Sequence, residues 1–132
     1  MELIIALATD DGNKLTNGHF GDALYFDIYR LNSQEYTFLY RISNSTKEEN
    51  EHNHSHGEDK KASSIGSLLK KHQVKILVGK VFGPNLKKMK KQFVAVFSSD
   101  SDIKKTLTKL TENYEKIVEE WEKGENRNFL KL

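Results

Sequence analysis

Five histidines carry most of the metal-binding capacity of this 132-residue chain, which has no cysteine and so offers no thiolate to zinc or to an iron–sulfur cluster. Three of them, His52, His54 and His56, alternate within ENEHNHSHGEDKK at 49–61. In an extended chain alternate side chains share a side. Neighbouring imidazoles of this set can therefore chelate one transition metal ion, such as zinc, nickel, copper or iron, with Glu49, Glu51 and Asp59 nearby. Ordering so polar a segment opposes binding, so affinity there is weak unless a second shell is supplied. A fourth, His19, stands in GHFGDA (18–23) between two glycines and beside Phe20 and Gly21, where an imidazole is held close to backbone.

A second chemical feature is GKVFGPN (79–85). Gly79 and Gly83 permit close backbone approach, Pro84 suits the first turn of a helix, and a helix beginning at Pro84-Asn85 would present unpaired N–H groups to an anion. Lys80 adds a positive charge within the turn. No lysine and Ser/Thr pair follows the second glycine, which excludes a nucleotide P-loop. Asp10, Asp11 and His19 are the titratable groups expected to face this corner.

These residues have to be positioned by a sheet. ELIIALATD (2–10) is a continuous apolar run and reads as a strand buried on both faces. LYFDIYRL (24–31) and YTFLYRIS (36–43) have strand composition and form a hairpin around NSQE. Residues 44–61 hold almost no apolar side chain and are expected to be a flexible loop. Asn44-Ser45-Thr46 within it matches a glycosylation acceptor, a chance match in a chain without an export signal. ASSIGSLLKKHQ (62–73) has a helical stripe of Ala62, Ile65, Leu68, Leu69 and His72, VKILVG (74–79) is a strand, and a helix is expected over 83–92. FVAVF (93–97) is the fifth strand. Ile103, Leu107, Leu110, Tyr114, Ile117 and Trp121 then mark one long helix ended by Gly124, with 125–132 as a loose tail. The order β-β-β-α-β-α-β-α implies one α/β domain over 1–132 with a mixed five-stranded sheet. Ligands are expected where the loops after the first, fourth and fifth strands meet.

With 36% apolar and 30% charged residues, the chain suits one well-solvated domain rather than a membrane protein, and no apolar run of about 18 residues exists. The expected location is the cytoplasm and the expected state a monomer. A formal net charge of +2 gives no strong pull on nucleic acid, but its distribution is uneven. Eight lysines and no acid lie between Lys70 and Gln92. Five acids and no lysine or arginine lie between Glu48 and Asp59.

IALATDDGNKLTNGHFGDALYFDIYRL (5–31), followed by VKILVGKVFGPNLKKMKKQFVAVF (74–97), resembles the dinitrogenase iron–molybdenum cofactor biosynthesis family across residues 2–120. His19-Phe20-Gly21 after the first strand and Gly83-Pro84-Asn85 after the fourth are the most specific elements. The resemblance implies an RNase H-like fold and a non-enzymatic role in binding or carrying an iron–sulfur or iron–molybdenum-type cluster or its precursor between donor and acceptor proteins. It also implies that His19, with one of the loop histidines, contacts the cluster, while the 83–85 turn and Lys80 hold its negative charge. The absence of cysteine departs from ordinary cluster ligation and implies labile holding. Lys80 and Val81 depart from the smaller residues common in that turn.

Two other classes compete. Nuclease chemistry on such a fold needs several converging carboxylates, and beyond Asp10 or Asp11 the fourth strand and the 62–73 helix supply none. A binding module for nucleic acid or an acidic protein would use the Lys70–Lys91 surface, with the histidine loop incidental and affinity falling steeply with salt. No aromatic residues interleave those lysines as a single-strand binder would require.

Overall fold

A computed structural model of the chain describes residues 1–46, 57–84 and 86–132, with 57–63 as backbone alone. The strands are β1 (Leu3–Thr9), β2 (Tyr25–Leu31), β3 (Tyr36–Ser43), β4 (Ile76–Gly79), β5 (Val94–Phe97) and β6 (Leu130–Lys131). Among the described residues the helices are α1 (Gly57–Lys71), α2 (Leu86–Met89), α3 (Ile103–Glu112) and α4 (Tyr114–Glu122). One mixed sheet runs β3-β2-β1-β4-β5-β6. β1 is antiparallel to β2 and parallel to β4, and β4, β5 and β6 run parallel.

The alternation of side chains along β1 divides the core in two. Leu3, Ile5 and Leu7 pack with Val78, Val96 and the stripe Ile103, Leu107, Leu110 and Ile117 of α3 and α4. Ala6 and Ala8 lie on the other face with Phe20, Phe26, Leu77, Phe93 and the α1 residues Ile65 and Leu69. Helices therefore cover both faces of the sheet, the mixed α/β class expected.

Four boundaries differ from the sequence reading. The sheet has six strands rather than five, because residues 125–132 are not a loose tail. Leu130 and Lys131 pair with Val96 and Phe97, and the Arg127 guanidinium donates to the carbonyls of Trp121 and Lys91 at 2.8 Å each. The single long helix is two, because the Asn113 side-chain amide donates to the Lys109 carbonyl and its backbone leaves helical geometry. α1 already covers the five residues before Ala62 and ends at Lys71, just beyond which Gln73 takes a positive φ of 62°. The segment 83–92 holds only the four-residue turn α2, because four lysines crowd it and few apolar side chains anchor it. His52, His54 and His56 lie outside the described residues.

Candidate functional site

Three connections meet at the carboxyl ends of β1, β4 and β5. The first is laid across the other two by backbone hydrogen bonds. Leu15 N–H donates to the Ser101 carbonyl (2.9 Å) and Ile103 N–H to the Asn13 carbonyl (3.0 Å), joining the β1 loop to the β5 loop. Further along, His19 forms a parallel bridge with Val81, and Phe20 N–H donates to the Val81 carbonyl at 2.7 Å. The segment around His19 is thus a short extra rung on the β4 loop.

Phe20 explains why this rung is firm. It opens the 3-10 turn Phe20–Asp22, is 1% exposed, and stacks between Phe26 (ring centroids 5.0 Å apart) and Phe82 (5.1 Å). Phe82 in turn meets Phe97 edge-on at 4.8 Å. Gly79 leaves the room this stack needs, since a Cβ there would lie 3.3 Å from Phe20 Cδ2. With its neighbour locked inward, His19 is turned outward, its side chain 53% exposed. Its ring rests on Gly83: a Cβ at Gly83 would sit 3.5 Å from His19 Nδ1. The same nitrogen faces the Asp22 carboxylate at 3.8 Å. His19 and the Gly83-Pro84 turn are therefore neighbours, and Asn85 is outside the described residues.

The far end of the turn departs from expectation. Leu86 N–H donates to the Gly83 carbonyl at 3.3 Å, and among the described residues α2 is the single turn Leu86–Met89. Lys80 is also committed elsewhere: its ammonium donates to Asn17 Oδ1 at 3.0 Å.

Asp10 and Asp11 are both held by hydrogen bonds within their own neighbourhood. Asp10 accepts from Leu24 N–H (2.9 Å) and from the Thr16 hydroxyl (3.0 Å), stapling the β1 loop to the start of β2. Asp11 accepts from Asn13 N–H (2.8 Å) and Lys14 N–H (2.9 Å), and the Lys14 bond, followed by the Asn13 bond, holds its carboxyl below the usual range. Both line an open recess of about 230 Å³ with Lys14, Thr16, Asn17 and Ser101. The sequence reading met Asn44 only as part of a chance glycosylation match and missed its structural role. Its side-chain amide donates to the carbonyls of Gly21 (2.8 Å) and Ala23 (2.9 Å), clamping the turn that bears His19 to the end of β3. The signal was available as an asparagine immediately after a strand, a residue suited to bonding nearby backbone.

The eight lysines do not form one surface. Lys75 lies over the Trp121 ring at 5.3 Å on the α3–α4 face, whereas Lys70 and Lys71 end α1 on the opposite face. Among the described residues no group of three or more His, Asp or Glu side chains converges to enclose an ion. No described helix is long and apolar enough to cross a membrane. A single outward imidazole can supply one ligand to a metal centre, whose other positions must be filled from elsewhere.

No curated protein sequence matches the chain. Residues 1–113, which contain the whole of this corner and end before α4 and β6, match the family described as dinitrogenase iron-molybdenum cofactor. The chain belongs to that family.

Proposed function

We propose that this protein is a non-enzymatic carrier that holds a preassembled iron–molybdenum-type or iron–sulfur cluster, or a precursor of it, and passes it between donor and acceptor proteins. The reading rests on family membership and on one observation above all: the half-exposed His19 imidazole lying against Gly83, on a rung fixed by the Val81 backbone bond and the buried Phe20. Phe20 and Gly21 serve as the support of that imidazole, and Gly83 and Pro84 as the wall beside it. Lys80, tethered to Asn17, contributes positive potential at the rim rather than a direct clamp.

A cargo held through one imidazole and no thiolate leaves readily, which is what a carrier requires. His52, His54 and His56 are proposed as auxiliary ligands for the cluster or for a transition metal ion. Thr46, next to the Asn44 clamp, is six residues from His52, at most about 20 Å of chain, so such help is within covalent reach. Catalysis is not part of this proposal.

The test is anaerobic loading with iron, sulfide and molybdate, followed by desalting and metal analysis. Wild-type protein should retain iron, His19→Ala should lose most of it, and the triple His52, His54, His56→Ala variant should lose part. Full retention by His19→Ala would contradict the proposal.

A further inference from the structure

We infer that Asp22 is a positioning residue that fixes the tautomer of His19, keeping the proton on Nδ1 and leaving Nε2 as the atom that meets the cargo. This inference rests on the carrier reading for its consequence but not for its geometry.

His19 is extended (φ −62°, ψ 146°) and the next three residues form the 3-10 turn Phe20–Asp22, closed by Asp22 N–H donating to the His19 carbonyl at 2.9 Å. One turn of 3-10 helix brings residues three apart onto the same side. The Asp22 carboxylate accordingly comes to 3.8 Å from His19 Nδ1. That nitrogen is also the one that abuts Gly83. Nδ1 therefore lies on the edge of the ring that faces the Asp22 carboxylate and the β4 loop. Nε2 lies across the ring from these two neighbours, in a side chain that is 53% exposed.

The two nitrogens of a neutral imidazole cannot both bind a metal: one carries the proton and the other the lone pair. Free neutral histidine favours the proton on Nε2, the wrong arrangement for a ligand facing outward through that atom. A carboxylate beside Nδ1 reverses the preference, because the N–H dipole directed at the negative charge is stabilised. At 3.8 Å the contact exceeds hydrogen-bond length, so charge rather than a direct bond sets the bias in the unloaded protein. Ligating histidines commonly have such a carboxylate behind the ring, where it orients the imidazole and strengthens it as a donor. Asp22 supplies that partner from within the same turn, which is why GHFGDA does the work of two separate segments.

The experiment is a long-range proton–nitrogen correlation spectrum of the full-length, metal-free protein at a pH well above the ordinary imidazole pKa, with the His19 signals assigned by their loss in His19→Gln. The wild-type ring should show the Nδ1–H pattern, Asp22→Ala should revert it to Nε2–H, and Asp22→Glu should restore at least part of the Nδ1–H population. An Nε2–H pattern in wild type, or an Nδ1–H pattern that survives in Asp22→Ala, would overturn the inference. Backbone amide spectra of the variants show whether the turn itself is intact, so a collapsed turn in Asp22→Ala passes the decision to the wild-type spectrum and Asp22→Glu. In iron–sulfide loading, Asp22→Ala should retain iron about tenfold more weakly. Undiminished retention alongside a reverted tautomer would sink the consequence for binding. Undiminished retention in His19→Ala would instead sink the carrier reading and leave the tautomer result standing.

Discussion

His19 is set apart from the other histidines by its neighbours. Phe20 is sealed between two aromatic rings, and a residue next to one so firmly buried has its own direction decided for it. This dependence makes Gly79 a sensitive position although it touches no cargo. A valine there would drive methyl groups into Phe20, which cannot retreat past Phe26. Gly79→Val should destabilise the fold by about 2 kcal/mol, in the range of core overpacking, and Gly79→Ala by less. Urea unfolding measures this directly, and iron retention should fall in the valine variant because Phe20 carries the rung. The pattern GHFGDA made His19 visible as a candidate from sequence. The role of its flanks was not visible, because a sequence records that a phenylalanine is adjacent but not that two others close over it.

At the scale of elements, the corner is built by tethers between segments distant in the chain. Asn44 joins the end of β3 to the 20–22 turn across more than twenty residues, and its Oδ1 also accepts from the Thr46 hydroxyl and N–H. Asn44→Ala would leave two carbonyls short of donors in a largely buried place, at a cost of about 1–3 kcal/mol. The expected outcome is a lowered unfolding midpoint together with faster amide exchange at Gly21 to Ala23. Unchanged exchange there would show that the clamp is not what orders the turn. Period and composition located β1 to β5 and the α3–α4 stripe, since those depend on local burial. They did not foresee the break at Asn113 or the shortness of α2. Asn113 turns on a side-chain bond to the Lys109 carbonyl, and α2 on mutual repulsion among Lys87, Lys88, Lys90 and Lys91, effects that a hydrophobic pattern does not encode.

The molecule as a whole places two polar features at one end of a six-stranded sheet. The His19–Gly83 corner lies on the Phe20 side, and the Asp10–Asp11 recess is walled by the β1 and β5 loops. Sequence reasoning placed both aspartates at that end but did not show that the loop's own amides and hydroxyls hold them. The final segment was misread for a related reason: Phe129 packs on Phe97 at 5.1 Å, and Leu132 closes the edge through backbone bonds with Phe97 and Ser99, partners more than thirty residues away. The apolar residues of NFLKL are too few to announce a strand without that neighbour. The account's central claim is spatial: cargo is held where the His19 rung crosses the β4 loop. Titrating nitrogen-labelled protein with a paramagnetic iron–sulfur cluster under anaerobic conditions, and mapping which amide signals broaden, tests it most directly. Broadening should centre on His19 to Asp22 and on Gly79 to Gly83, and fade toward β3. Broadening confined to the Asp10–Asp11 recess or to the β3 edge, with the His19 turn unaffected, would contradict it.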